Sequence, residues 1–358
     1  PIKSISWQGT IVNGVKTGIS NIKADIAVLE WLDFFHGLNT LTSFTDMSQW
    51  ATTWEEVSFK DMEIRDHHLP QKPLGTTALT SLDMGGTYIN HVDFMQGVTK
   101  VNRHLFLDTF ASIDSYSGLS DLTTIDGSLA LARSSMTSLS GLEALTFIGE
   151  SLSVFNMYYL TDMSVLNNVT SFGTLADVSS HDIKITSNRN LTNLNGLNNL
   201  TVVGNDLDLR QNDLLNLDAL SSLTSVGNTI MLYKNVNLTN IDGLSNLTHV
   251  GGDIDLRYTK VSNVDGLSGL TSVGFNVLLG NNSALSNIDG LSNLTTIGGM
   301  FSIGGTSVTN LNALTALTSV GTYLSLSGNS QLTDISGIQN VSSVGYQVRI
   351  NNPSQYTV

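Results

Sequence analysis

A pair of aliphatic residues, two positions apart, returns along this chain at nearly constant intervals, and few folds can satisfy that rhythm. Eleven pairs run from Leu105/Leu107 through Leu129/Leu131, Leu152/Val154, Ile183/Ile185, Leu207/Leu209 and Ile230/Leu232 to Val348/Ile350. The steps between them are 24, 23, 31, 24, 23, 24, 23, 24, 23 and 24 residues. Looser copies stand at Met62/Ile64 and Leu82/Met84, giving about thirteen turns, and "HGLNTLTSFT" (His36 to Thr45) opens another with the same grammar. Within each pair the apolar residues alternate with polar ones, the two-residue period of a strand with one face buried. A constant step means that every turn closes on the one before, so the chain is a stack of coils with a continuous aliphatic core.

Other letters of the repeat have folding work to do. Five residues after the first member of each pair comes Asn188, Asn212, Asn235, Thr259, Asn282, Thr306 or Asn329, a column that can satisfy backbone groups left unpaired by a bend. Asp218, Asp242, Asp265 and Asp289 of "IDG" are expected to cap a brief helical or 3₁₀ segment. The glycine of "VG" is expected to permit a sharp corner. A threonine file (Thr99, Thr123, Thr146, Thr170, Thr201, Thr224, Thr248, Thr271, Thr295, Thr318) reads as turn-stabilising hydroxyls, with ice binding as its rival.

The pattern L-x-L-x-x-N/T in steps of 23 or 24 resembles the leucine-rich-repeat family over about Gly37 to Asn352. Most turns read V-G-x-x-L-x-L, one residue longer than the usual L-x-x-L-x-L. That form is similar to the receptor L domains and their bacterial relatives, and it implies a right-handed solenoid that binds a ligand or protein rather than catalysing a reaction. The expected architecture is a leucine-rich-repeat right-handed β-solenoid, with a parallel sheet face and short helical or 3₁₀ and turn segments on the other sides. Residues 1–60 hold all four tryptophans and the amphipathic run "NIKADIAVLEWLDFF", and are expected to form an N-terminal cap with a helical segment. Residues 61–358 are expected to form one continuous solenoid domain, roughly 60 Å long at about 4.8 Å per turn.

Composition narrows function. A formal charge of −14 without a basic stripe excludes a nucleic-acid binder and disfavours an anionic membrane. The absence of cysteine removes thiolate chemistry, Cys-ligated zinc and disulfides. No apolar run approaches the roughly 20 residues that cross a bilayer. The seven histidines lack metal spacing, including the adjacent His67 and His68, and no G-x-S-x-G elbow occurs. His104 is expected to face outward near Asp108. A structural calcium on the stacked Asp column is the one cofactor left open. The acidic, cysteine-free, Asn/Ser/Thr/Gly-rich composition and the excised ends point to an extracellular module of a longer bacterial surface protein. The expected role is an adhesin, monomeric within that chain, binding a protein, peptide or glycan of another cell.

Side chains that point away from the core are free to serve that role. The turn at Leu207 displays Asp206, Asp208 and Arg210; the next displays Met231 and Tyr233; the third displays Asp253, Asp255 and Arg257, with Tyr258 adjacent. These nine residues are the candidate ligand-binding set, with Asp accepting, Arg210 and Arg257 donating and Tyr233 stacking. The insertion "TLADVSSH" before Ile183 is a candidate rim. The rival enzymatic reading gives Asp206/Asp208 and Asp253/Asp255 to polysaccharide cleavage.

Overall fold

The computed structural model describes residues 2–12, 15–26, 54–58, 77–108, 113–172 and 181–350. The chain divides into two compact units, Pro1–Phe172 and Gly173–Val358, with the boundary at the 31-residue step. The insertion up to Ser180, the His67/His68 stretch and the copies at His36 and Met62 lie outside the described residues; His181, the last residue of the insertion, is buried.

The first unit opens with an antiparallel hairpin, Ile2–Val12 against Val15–Ile26. Asn21 to Ile26, the start of the run expected to be helical, are therefore strand; the remainder of that run lies outside the described residues. The unit continues as stacked coils, with Ala78–Asp83, Leu105–Asp108, Leu129–Ala132 and Leu152–Phe155 pairing in parallel. A second parallel ladder links Lys100–Val101, Thr124–Ile125, Phe147–Ile148 and Ser171–Phe172.

The second unit repeats this plan more regularly. Its principal ladder runs through Ile183–Thr186, Leu207–Asp208, Ile230–Met231, Ile254–Asp255, Val277–Leu278, Phe301–Ser302, Tyr323–Ser325 and Gln347–Arg349. Each strand is parallel to its neighbour with the aliphatic pairs in register, Ile230 against Ile254 and Ile254 against Val277. The rungs from Ile183 to Leu326 are buried to 2% exposure or less, each contributing about 1.5–3 kcal/mol over its exposed state.

The asparagine column does what its position suggests. Asn282 Nδ2 donates to Leu256 O and Leu279 O, both at 2.9 Å. Its Oδ1 accepts from Thr259 N at 2.7 Å and Thr259 Oγ1 at 3.0 Å. Asn212 and Asn329 make the equivalent bonds, so each buried amide ties its coil to the preceding one.

Two expectations need correction. The 3₁₀ segments Asp242–Leu244, Asp265–Leu267 and Asp289–Leu291 begin at the Asp of "IDG", but their capping residues carry no side-chain cap bond. An asparagine two positions earlier acts instead: Asn240, Asn263 and Asn287 Oδ1 accept from the Asp backbone N–H at 2.6, 3.0 and 2.6 Å. A side chain reaches its own i+2 amide more readily as an Asx turn than a carboxylate already inside the turn can. The "VG" glycine is needed for close approach: a Cβ on Gly274 would stand 1.9 Å from Gly251 O of the preceding coil.

The threonine file is likewise structural. Thr123, Thr224, Thr248, Thr295 and Thr318 Oγ1 donate to the carbonyl of the threonine one coil earlier, at 2.9 to 3.1 Å.

Candidate functional site

Strand alternation places Asp208, Met231 and Asp255 on the side of the principal ladder opposite the Leu/Ile core. All nine candidates lie in the second unit, on three successive coils. The carboxylates, however, are already engaged. Arg210 folds back on Asp208 as a two-bond fork, Nε to Oδ1 at 2.8 Å and Nη2 to Oδ2 at 2.7 Å. Arg257 does the same on Asp255, at 2.9 and 2.7 Å. Both acids are buried, Asp208 at 3% and Asp255 at 9% exposure, while the arginine side chains stay 47% and 41% exposed. The forks lock both guanidiniums in the charged form, their hydrogen bonds to Asp208 and Asp255 outweighing partial burial.

Asp206 and Asp253 are consumed in another way. A side-chain acceptor before each rung takes the backbone N–H of the equivalent residue one coil later. Asp182 Oδ1 accepts from Asp206 N at 3.1 Å, Asp206 Oδ1 from Thr229 N at 3.2 Å, and Thr229 Oγ1 from Asp253 N at 3.3 Å. Asp253 Oδ1 then accepts from Asn276 N at 2.8 Å, and Asn276 Oδ1 from Met300 N at 2.7 Å. The four aspartates expected to accept from a ligand thus accept first from the protein. At the head of this column burial opposes ionisation of Asp182. Hydrogen bonds from Lys184, Asp206 N and Asn205 prevail, holding its carboxyl below the ordinary range.

The aromatic pair is present, with its two rings in contact and unequally exposed. Tyr233 and Tyr258 meet edge to face with ring centroids 5.4 Å apart. Lys234 Nζ lies 5.1 Å and Arg257 Cζ 5.5 Å from the Tyr233 ring centroid. Tyr233, the expected stacking residue, is therefore hemmed in by two cations and a second ring. Tyr258 is the exposed member, at 44%. Its backbone has φ +60°, a left-handed corner that the same place in other coils gives to Ser187, Gln211, Lys234 and Asn281, and to Gly305 and Gly328.

Other candidates resolve differently. Asp108 binds Arg133 Nε at 2.5 Å rather than His104; His104 stacks on Phe106 at 5.5 Å, and its Nδ1 accepts from Ser128 N at 3.1 Å. A second aromatic-cation group, not anticipated, joins Tyr323 to Tyr346 at 4.9 Å, with Arg349 Cζ 4.5 Å from the Tyr323 ring. The signal for it was Tyr323 just before one rung and Arg349 between the two residues of the next.

A family model described as "BspA type Leucine rich repeat region (6 copies)" matches residues 52–184, 179–302 and 256–354, well over half of the chain. No curated protein matches it. A solved internalin (inlF) from Listeria monocytogenes str. 4b F2365 is similar at 16% identity and a TM-score of 0.52, over 84% of this chain and 83% of that one. The functional domain of InlJ from Listeria monocytogenes aligns at 17% identity over 73% of this chain and 70% of its own, with a TM-score of 0.25. A leucine-rich repeat protein from Bacteroides ovatus ATCC 8483 aligns at 13% identity over 98% and 90%, with a TM-score of 0.23; neither score supports an argument. The internalin likeness concerns the fold alone. On the family match and its coil grammar, the chain belongs to the BspA-type leucine-rich-repeat family.

Proposed function

We propose that this chain is a non-catalytic recognition module of a bacterial surface protein, an adhesin whose ligand sits on another cell. The observation that carries the reading is the Tyr258–Arg257–Tyr233–Lys234 cluster, with Tyr258 and Lys234 exposed and Arg257 and Tyr233 half-buried, on a ladder whose rungs and asparagines are otherwise spent on folding. Between "DIDLRY" and "MFSIGG", the variable halves of two otherwise matching coils, Arg257 and Tyr258 exchange for Gly304 and Gly305. The core rungs Ile254/Leu256 and Phe301/Ile303 persist, so the variation falls on positions the fold does not need for packing.

Family membership supports a binding role in general. The site supports the non-catalytic reading, because a hydrolase would need one carboxylate as acid and another as base or nucleophile. Asp208 and Asp255 are forked to arginines, and Asp206 and Asp253 staple neighbouring coils. The internal bonds of the threonine hydroxyls support their turn-stabilising role over ice binding.

The test is binding of the purified chain to glycan and peptide arrays, repeated with Tyr258→Ala and Arg257→Ala. Loss of the captured ligand in both variants is the expected result. Undiminished capture by both would move the contact surface off this cluster.

A further inference from the structure

We infer that the Tyr258 cluster is a subsite for a neutral pyranose carbohydrate, with the Tyr258 ring as the stacking platform and Arg257 as the flanking donor. The inference rests on the recognition reading above and specifies its ligand class.

Three properties of the surface select that class. The first is charge. The three coils carry Asp206, Asp208, Asp253 and Asp255 against Arg210, Lys234 and Arg257, so carboxylates outnumber cations by one; Lys234 and Arg257 lie over the neighbouring Tyr233 ring. Each guanidinium is forked to its own carboxylate, and the remaining cation, Lys234, is offset by Asp206 and Asp253 on the adjoining coils, so the patch offers polarised donors rather than a positive field. Such donors suit hydroxyl and ring oxygens better than a sulfate or carboxylate, for which an unpaired cation would compete more strongly. Nε and Nη2 of Arg257 serve Asp255, which leaves Nη1 for a ligand oxygen.

The second is the apolar content. A protein-protein contact centre is built from several large apolar groups and is depleted of charge. Here one exposed ring stands against a second ring, with the Arg257–Asp255 pair directly before it in the chain, an arrangement that fits a small amphipathic face: the flat C–H side of a sugar on the ring, and its hydroxyls on the rim. The strand beneath is paired on both sides, Ile254 with Ile230 and with Val277, so no free edge is available for an extended peptide to join as a strand.

The third is the backbone. Tyr258 occupies a left-handed corner that two equivalent coils fill with Gly305 and Gly328. A bulky aromatic side chain is disfavoured there, and beyond its edge contact with Tyr233 the ring is left 44% exposed. In the same column as Arg257, the next coil carries Gly280, which has no side chain to set against that flank. These features place a rigid, accessible ring beside a donor with open space next to it.

The experiment is calorimetric titration and array binding of the whole chain with neutral, sialylated and sulfated oligosaccharides and with peptides. It compares wild type with Tyr258→Gly, Tyr258→Phe and Arg257→Lys. Tyr258→Gly relieves the corner, so its melting temperature should stay within about 5 °C of wild type, while neutral-glycan affinity falls by at least about tenfold. Tyr258→Phe keeps the ring and should retain affinity within about threefold. Arg257→Lys loses the fork and should weaken binding. Affinity should change by less than about twofold between about 0.05 and 0.5 M salt. A strong preference for sulfated or sialylated glycans, lost in Tyr258→Gly, would overturn the neutral class while sparing the recognition surface. So would capture of peptides alone with the same loss. A neutral glycan bound equally by wild type and Tyr258→Gly would overturn the subsite itself.

Discussion

Replacing Asn282 with alanine tests whether the buried amide column, and not only the aliphatic rungs, holds the coils of the second unit together. Asn282 is fully buried and makes four hydrogen bonds, to Leu256 O, Leu279 O, Thr259 N and Thr259 Oγ1. At a net value of about 1 kcal/mol per bond, alanine should cost about 4 kcal/mol, because three backbone groups lose their partner inside the protein. Asn235 supplies the control. It is equally buried, but its Nδ2 donates to Leu209 O and Leu232 O while its Oδ1 has no partner. Asn235→Ala should therefore cost about 2 kcal/mol, half as much. Native-state hydrogen exchange resolves this better than a single unfolding curve, since coil arrays open locally. The amide of Leu256, bonded to Leu278 O, reports the affected coil. Exchange there should accelerate more in Asn282→Ala than in Asn235→Ala, with a melting temperature lower by several degrees. Equal costs in the two variants, or a loss under about 1 kcal/mol in Asn282→Ala, would refute the assignment of these bonds as coil-to-coil ties.

Leu256→Ala should lower stability by about 2–5 kcal/mol in urea denaturation, as expected for truncating a fully buried rung. Thr248→Val removes the donor to Thr224 O and should cost about 1 kcal/mol, with no thermal hysteresis in wild type or variant. The depressed Asp182 carboxyl adds stability that is present above the ordinary carboxylate pKa near 3.9 and is lost as pH falls through the lower folded value. The urea midpoint of wild type should accordingly exceed that of Asp182→Asn at pH 7 and converge with it at pH 2. EDTA tests the calcium left open by the Asp column; the melting temperature should not change, because Asn240, Asn263 and Asn287 already accept from the backbone N–H of Asp242, Asp265 and Asp289.

The rungs and the asparagine column were legible because their chemistry is local to one coil and recurs at a fixed step: an aliphatic pair must be buried and an amide must bond. What escaped were bonds between coils. Asp206 and Asp253 looked free because their partners, Thr229 N and Asn276 N, lie 23 residues away in sequence and beside them in space. A clue was available in the column Asp182, Asp206, Thr229, Asp253 and Asn276, every member of which carries a side-chain acceptor. The forks of Arg210 and Arg257 were read as groups reaching for a partner, although an arginine two residues from an aspartate on a strand shares its face. The left-handed corner at Tyr258 was the least legible, because no single residue type marks such a corner; only Gly305 and Gly328 in the same column betray it. The expected caps failed for a related reason: the asparagine that does the work sits two positions before the more conspicuous aspartate.

That evenly spaced rungs wind the second unit into a stack of parallel coils is tested most directly by distance. The chain has no cysteine, so pairs can be introduced for spin labels without background. Lys184, Asp208, Met231, Asp255, Leu278 and Ser302 are paired in series. Labels at 184 with 255, 278 and 302 should therefore be separated by three, four and five steps of about 4.8 Å, or about 14, 19 and 24 Å plus the label arms. Pulsed electron resonance should give narrow distributions that lengthen by one step per coil. Broad distances, or distances that do not grow with coil number, would contradict it.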